Sequence, residues 1–162
     1  MVLDPLSAVS LASATVQFVD FSARLISNTS EIKEFGKPIQ SADLELRAKQ
    51  LQDLSRKLAL TQPRSLNFKT RKSGDIRRSG QDGNLIDITQ SCEEIAKELI
   101  SALNALQQKY ANGLFRSFRA ALAHVWQEKY IATLEARLEK YKSDLLTHLM
   151  VELTLIQRYA PF

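Results

Sequence analysis

Between Asp4 and Ser27 the chain reads DPLSAVSLASATVQFVDFSARLIS, and most of its polar side chains fall in one row. Ser10, Ser13, Gln17, Asp20, Arg24, Ser27 and then Glu31 follow one another at alternating steps of three and four. That spacing stacks side chains down one side of an α-helix. Around the row stand Leu6, Val9, Leu11, Ala12, Ala14, Val16, Phe18, Val19, Phe21, Leu25 and Ile26, all apolar or small. The usual surface-helix pattern is inverted into a thin polar seam on an apolar rod. Fully burying one large apolar side chain is worth about 1.5–3 kcal/mol, so such a rod must be covered by protein or by lipid.

The rod has a clear start. Asp4 is a capping residue type, and Pro5 at the first helical position sacrifices no hydrogen bond. From Pro5 to Val19 the run is uncharged but only fifteen residues long, about 22 Å of helix. A bilayer span needs about 20 apolar residues. The run is therefore too short for a permanent span, but it can insert part-way, or cross a thinned bilayer as an oligomer with its seam turned inward. Asp20 and Arg24, one turn apart, are placed to pair and would limit the depth of entry. Ala8, Ser10, Ala12 and Ala14 would permit close helix contact in an oligomer, or in any tight bundle.

Three further helical patterns and a short one follow. Gly36 and Pro38 end the first unit, and Leu44, Ala48, Leu51, Leu54 and Leu58 share one face of a second helix over about 41–60. Leu85, Ile88, Cys92, Ile95, Leu99, Ala102 and Leu106 form a seam with coiled-coil-like steps, closed by Asn112-Gly113. A short helix over about 114–126 turns Phe115, Phe118, Leu122, Val125 and Trp126 inward. A last helix from about 127 or 129 to 157 uses Ile131, Leu134, Leu138, Tyr141, Leu145, Leu149, Leu153 and Ile156; its continuity with the short helix near Trp126 is left open. With 162 residues, five Gly and four Pro, and no strand-like alternation, the pattern predicts one all-α domain over 1–162. It is a bundle of four main helices plus a short one, with the N-terminal helix central.

Charge is concentrated. Between Gln62 and Asn84 stand Arg64, Lys69, Arg71, Lys72, Arg77 and Arg78 against only Asp75 and Asp82, so the whole excess of +4 lies in this segment. It carries three of the five glycines and little periodicity, which reads as a mobile basic loop at about 62–84. One reading is a solvated linker. The other is attraction to an anionic leaflet, at about 1 kcal/mol per basic residue near the surface, with Leu66 and Phe68 dipping into the interface. One loop with a single aromatic offers nucleic acid neither a stacking platform nor a recognition helix, so nucleic acid is not an expected partner.

No catalytic or cofactor chemistry is legible. His124 and His148 stand on separate segments without a nucleophile or acidic partner motif, and no ligand set spaced for a metal is present. SGQDGN lacks the Lys-Ser/Thr ending and the preceding strand of a phosphate loop. Cys92, the single cysteine, lies on a helix seam and reads as a buried thiol, which points to a reducing compartment. Asn28 opens an Asn-Thr-Ser sequon, an accidental match if no secretory leader directs the chain outward; Asp4 and Pro5 stand where a basic leader would begin. The expectation is a non-enzyme with no cofactor.

With these residues laid out, the opening DPLSAVSLASATVQFVDFSARLIS resembles the start of the HeLo-like N-terminal domains of fungal NLR-type STAND receptors. The stretches CEEIAKELISALNALQQKY and FRSFRAALAHVWQEKYIATLEARLEKYKSDLLTHLMVEL resemble the second half of that domain. The chain departs from the pattern in the extra Val2 and Leu3 before Asp4, in a longer and more basic middle loop, and in lacking the nucleotide-binding and sensor modules. The resemblance implies a cytoplasmic cell-death effector, stand-alone or cut from a NACHT receptor, that oligomerises when triggered. It then relocates to the plasma membrane and drives in its N-terminal helix. In this sequence the inserting residues would be Leu6, Val9, Leu11, Val16, Phe18, Val19 and Phe21, with Gln17, Asp20 and Arg24 as polar seam. Arg64, Lys69, Arg71, Lys72, Arg77 and Arg78 would meet anionic phospholipid. The rival expectation is a non-lytic oligomerisation or adaptor domain at the head of such a receptor.

Overall fold

Pro5 opens the first helix, α1 (Pro5–Ile26), from the first helical position, and the Asp4 backbone carbonyl accepts from Ala8 N–H at 2.9 Å. The Asp4 side chain makes no capping bond, so the cap anticipated from its carboxylate is supplied by its backbone. The computed structural model describes residues 3–27, 38–62 and 78–160, with side chains from residue 83 in the last stretch. After α1 come α2 (Ser41–Thr61), α3 (Arg78–Lys109), the short α4 (Phe118–Leu122) and α5 (Glu128–Tyr159). The described residues form an all-α helical bundle without a strand.

The N-terminal helix is central. It touches all four other helices, most extensively α5 and then α2. Two fixed points set its direction against α5. Asp20 bonds to Lys142, while Pro5 lies beside Leu155, Ile156 and Tyr159. The two helices therefore run antiparallel. Helices α2 and α3 pack closely on each other, and the other substantial contact of α5 is a smaller one with α3. Helix α1 thus joins an α2–α3 layer to α5.

The helical seams are largely those read from the sequence. Leu44, Ala48, Leu51 and Leu58 of α2 are buried, as is every member of the α3 seam from Leu85 to Leu106. On α5 Ile131, Leu134, Leu138 and Leu145 are buried, Tyr141 and Leu149 are half-buried, and Leu153 is 50% exposed. The physical reason is helical phase. At 3.6 residues per turn each step of four advances about 40° around the axis, and the consecutive steps Leu145–Leu149–Leu153 carry the row out of the interface. His148 and Glu152 turn in instead and are buried.

Two boundaries differ from expectation. Helix α3 begins at Arg78, within the segment read as a loop. Gly80 and Gly83 lie near its start, where a propensity cost of about 1 kcal/mol each is outweighed by continuation into the Leu85 seam. The short helix is only α4, because Phe115 is taken by an isolated antiparallel bridge. Ile39 N–H donates to Phe115 O at 2.7 Å and Phe115 N–H to Ile39 O at 3.0 Å. Ser117 then caps α4, its hydroxyl accepting from Ala120 N–H at 3.1 Å. After Leu122 the chain tightens into three-residue turns, Val125 faces out, and an extended Gln127 separates α4 from α5.

Candidate functional site

Helix α1 carries the candidate site, and its 22 residues extend about 33 Å. By length and composition it is the one helix among the described residues able to cross a bilayer, a test that a buried core helix also passes. The uncharged run falls short of a span; the full helix reaches it by including Asp20 and Arg24 on the seam.

The expected inserting residues divide by burial. Leu11, Phe18 and Val19 are fully buried, Val9, Val16 and Phe21 are half-buried, and Leu6 is 72% exposed. Leu6 therefore faces solvent in the folded bundle, whereas Pro5 beside it is half-buried against α5. The seam is where the spacing placed it. Ser10, Gln17 and Arg24 are exposed and Ser13, Asp20 and Ser27 half-buried.

The seam is also fastened. Asp20 Oδ2 lies 3.1 Å from Arg24 Nε, the pairing expected from spacing. Lys142 Nζ of α5 donates to Asp20 Oδ1 at 2.8 Å, a partner that nothing in the sequence pairs with Asp20. The bond from Lys142 holds the Asp20 carboxyl below the usual carboxylate range; burial opposes this, and the charges of Lys142 and Arg24 add to it. A carboxylate so held contributes stability at neutral pH that fades as pH falls through its folded pKa.

Two further contacts fix α1 to its other neighbours. Thr15 Oγ1 lies 3.1 Å from Thr89 Oγ1 of α3, both fully buried, and each also reaches the carbonyl one turn back, Leu11 O at 2.7 Å and Leu85 O at 2.8 Å. Two hydroxyl protons serve three contacts, so one contact goes without a hydrogen at any instant. On the α2 side the Arg47 guanidinium stands 5.8 Å from the Phe21 ring centroid and 5.6 Å from that of Phe118 in α4, within cation–π range. Ser22 Oγ, also buried, has no hydrogen-bond partner among the described residues. No sequence signal marked Thr89, Arg47 or Lys142.

Of the basic residues expected to meet lipid, Arg64, Lys69, Arg71, Lys72 and Arg77 lie outside the described residues. Arg78 opens α3 rather than lying in a loop, and its side chain is not among those described. Cys92 is fully buried in the α3 seam, and burial pushes its thiol up to about 12, so it is no nucleophile in the folded bundle. Among the described residues no three His, Cys, Asp or Glu side chains form a group able to hold a metal.

A second apolar surface lies on α5. Leu146, Met150 and Leu153 of α5, at steps of four and three, are 46%, 71% and 50% exposed. With Leu6 and Tyr159 they place most of the large exposed apolar side chains of the described residues on the α1–α5 pair. No family model, no curated protein and no solved structure matches the chain.

Proposed function

We propose that this chain is a membrane-acting effector domain in which α1, held centrally at rest, is released into a lipid bilayer. The observation that carries the reading is the combination of an uncharged fifteen-residue run from Pro5 to Val19 with a fastening, Asp20 to Lys142, at the far end of that run. Lipid can take over the apolar surface that protein covers at rest, so transfer need not expose it to water. The cytoplasmic resting state, oligomerisation, relocation to the plasma membrane and a cell-death role of the HeLo-like kind are parts of the same proposal, supported by the sequence resemblance. Attraction of the 62–84 basic segment to anionic phospholipid completes it.

Dye release from anionic liposomes tests the proposal. Val16 is half-buried, so Val16→Lys can lift its amine to water in the folded bundle. In a bilayer the same charge costs about 2.5–3.5 kcal/mol near the centre. Wild type should release dye, and Val16→Lys, with an unchanged circular dichroism melt, should release about tenfold less. Equal release would remove α1 from the mechanism.

The exposed Leu146, Met150 and Leu153 face favours a second reading, a non-lytic oligomerisation or adaptor domain. That reading requires self-association without dye release, abolished by Met150→Glu.

A further inference from the structure

The turn between α4 and α5 holds the single tryptophan of the chain, Trp126, and one helical turn later stands Tyr130. Their rings meet edge to face, with centroids 5.2 Å apart and planes at 78°. Both residues are half-buried, and both line an open groove of about 800 Å³ between α3 and the start of α5. Glu98 of α3 lines the same groove and accepts the phenolic hydrogen of Tyr130 on Oε2. Ala102 and Ala105 line the groove with small side chains, and Lys97 and Ser101 stand beside them.

We propose that this groove binds a quaternary ammonium group, most fully as the phosphocholine moiety, with the cation against Trp126, Tyr130 and Glu98 and the phosphate toward Lys97 and Ser101. Two aromatic faces near a right angle make a corner whose quadrupoles attract a cation, and the carboxylate adds a full negative charge. A methylated ammonium suits the corner better than a metal ion or a bare ammonium. It is weakly hydrated, presents only methyl groups, and needs no oxygen cage. The small side chains leave room for those methyls. Lys97 and Ser101, one turn apart on the exposed side of α3, supply an ammonium and a hydroxyl for an anionic group. The groove thus carries both signs within one ligand length, the pattern of a zwitterion. Arg137, whose charge also reaches Glu98, does not line the groove and donates instead to Tyr141 at 3.4 Å. An apolar protein side chain in the same place would desolvate Glu98 and Lys97 without pairing either. The inference is independent of any release of α1.

Because Trp126 is the single tryptophan, its fluorescence reads the site directly. The full chain is titrated with phosphocholine, tetramethylammonium and inorganic phosphate, and separately with phosphatidylcholine and phosphatidylglycerol vesicles. Phosphocholine should give a saturable change and tetramethylammonium a weaker one, with none from phosphate. Glu98→Gln and Tyr130→Leu should each weaken phosphocholine binding by about tenfold, a loss on the scale of one cation contact. The Lys97→Met variant should weaken phosphocholine but leave tetramethylammonium unchanged, a split that a merely unfolded groove would not give. A response to phosphatidylcholine vesicles as well identifies a lipid headgroup as the source; a response to the soluble compound alone identifies a free metabolite. The inference is overturned if phosphocholine gives no saturable change, if phosphate alone reproduces it, or if Glu98→Gln binds as wild type does.

Discussion

Lys142 Nζ and Asp20 Oδ1 meet at 2.8 Å across 122 positions of sequence, and this bond joins the central helix to the helix that depends on it most. Because α5 packs on the bundle chiefly through α1, loosening this contact frees both partners together. Lys142→Met keeps most of the aliphatic stem and removes the charge. The expected loss is about 1 kcal/mol, since the pair is part-exposed, read as a melting temperature lower by about 2–4 °C. On the proposed mechanism the same variant releases liposome dye faster than wild type.

The same carboxylate sets an acid response. The folded pKa of Asp20 lies below its unfolded value, so its contribution is complete above the unfolded value and is lost as pH falls through the folded one. Asp20→Asn should be less stable than wild type at neutral pH, and the gap should close as the solution is acidified below about pH 4. Urea melts at a series of pH values check this. A constant gap would mean that the carboxylate charge is not what holds Lys142.

The two hydroxyls between α1 and α3 should behave as a unit. Thr15→Val alone leaves Thr89 with one partner fewer in a dry interface, at a cost of about 1–2 kcal/mol, whereas changing both to Val should cost less than the two single changes added together. Denaturant unfolding of the two singles and the double measures the coupling.

Two glycines should respond in opposite directions to alanine. A Cβ at Gly83 would meet nothing within 4 Å, so Gly83→Ala should stabilise α3 by about 0.5–1 kcal/mol. A Cβ at Gly113 would lie 2.9 Å from Tyr110 Cβ and 3.1 Å from its carbonyl oxygen. Relieving that overlap shifts backbone, so Gly113→Ala should destabilise by about 1–3 kcal/mol. Thermal melts distinguish the signs.

Most of this architecture was legible in residue spacing, because burial of a helix face imposes a period and the period survives in the sequence. The α3 seam from Leu85 to Leu106, the exposed row Ser10–Gln17–Arg24 and the central place of α1 all follow from it. Contacts between helices leave no such trace. Lys142 looks like any surface lysine until α5 is laid antiparallel on α1. Arg119 likewise gave no sign that it would donate to Glu128 at 2.7 Å and Glu135 at 2.6 Å, tying α4 to the start of α5. Leu153 belongs by its spacing to the inward row of α5, and only the drift of phase along that helix shows that it turns out beside Leu146 and Met150, which that row does not include. The Trp126–Tyr130–Glu98 corner joins two helices more than one turn of sequence apart and could not be assembled from periodicity.

Whether α1 must leave its neighbours is tested most directly by fastening it in place. Cysteines at positions 20 and 142 of an otherwise unchanged chain, joined by a reducible bismaleimide, tie α1 to α5 while the buried Cys92 stays out of reach of the reagent. The account predicts that the joined protein releases no dye from anionic liposomes and regains full release when the linker is reduced. Release at the same rate before and after reduction would contradict it.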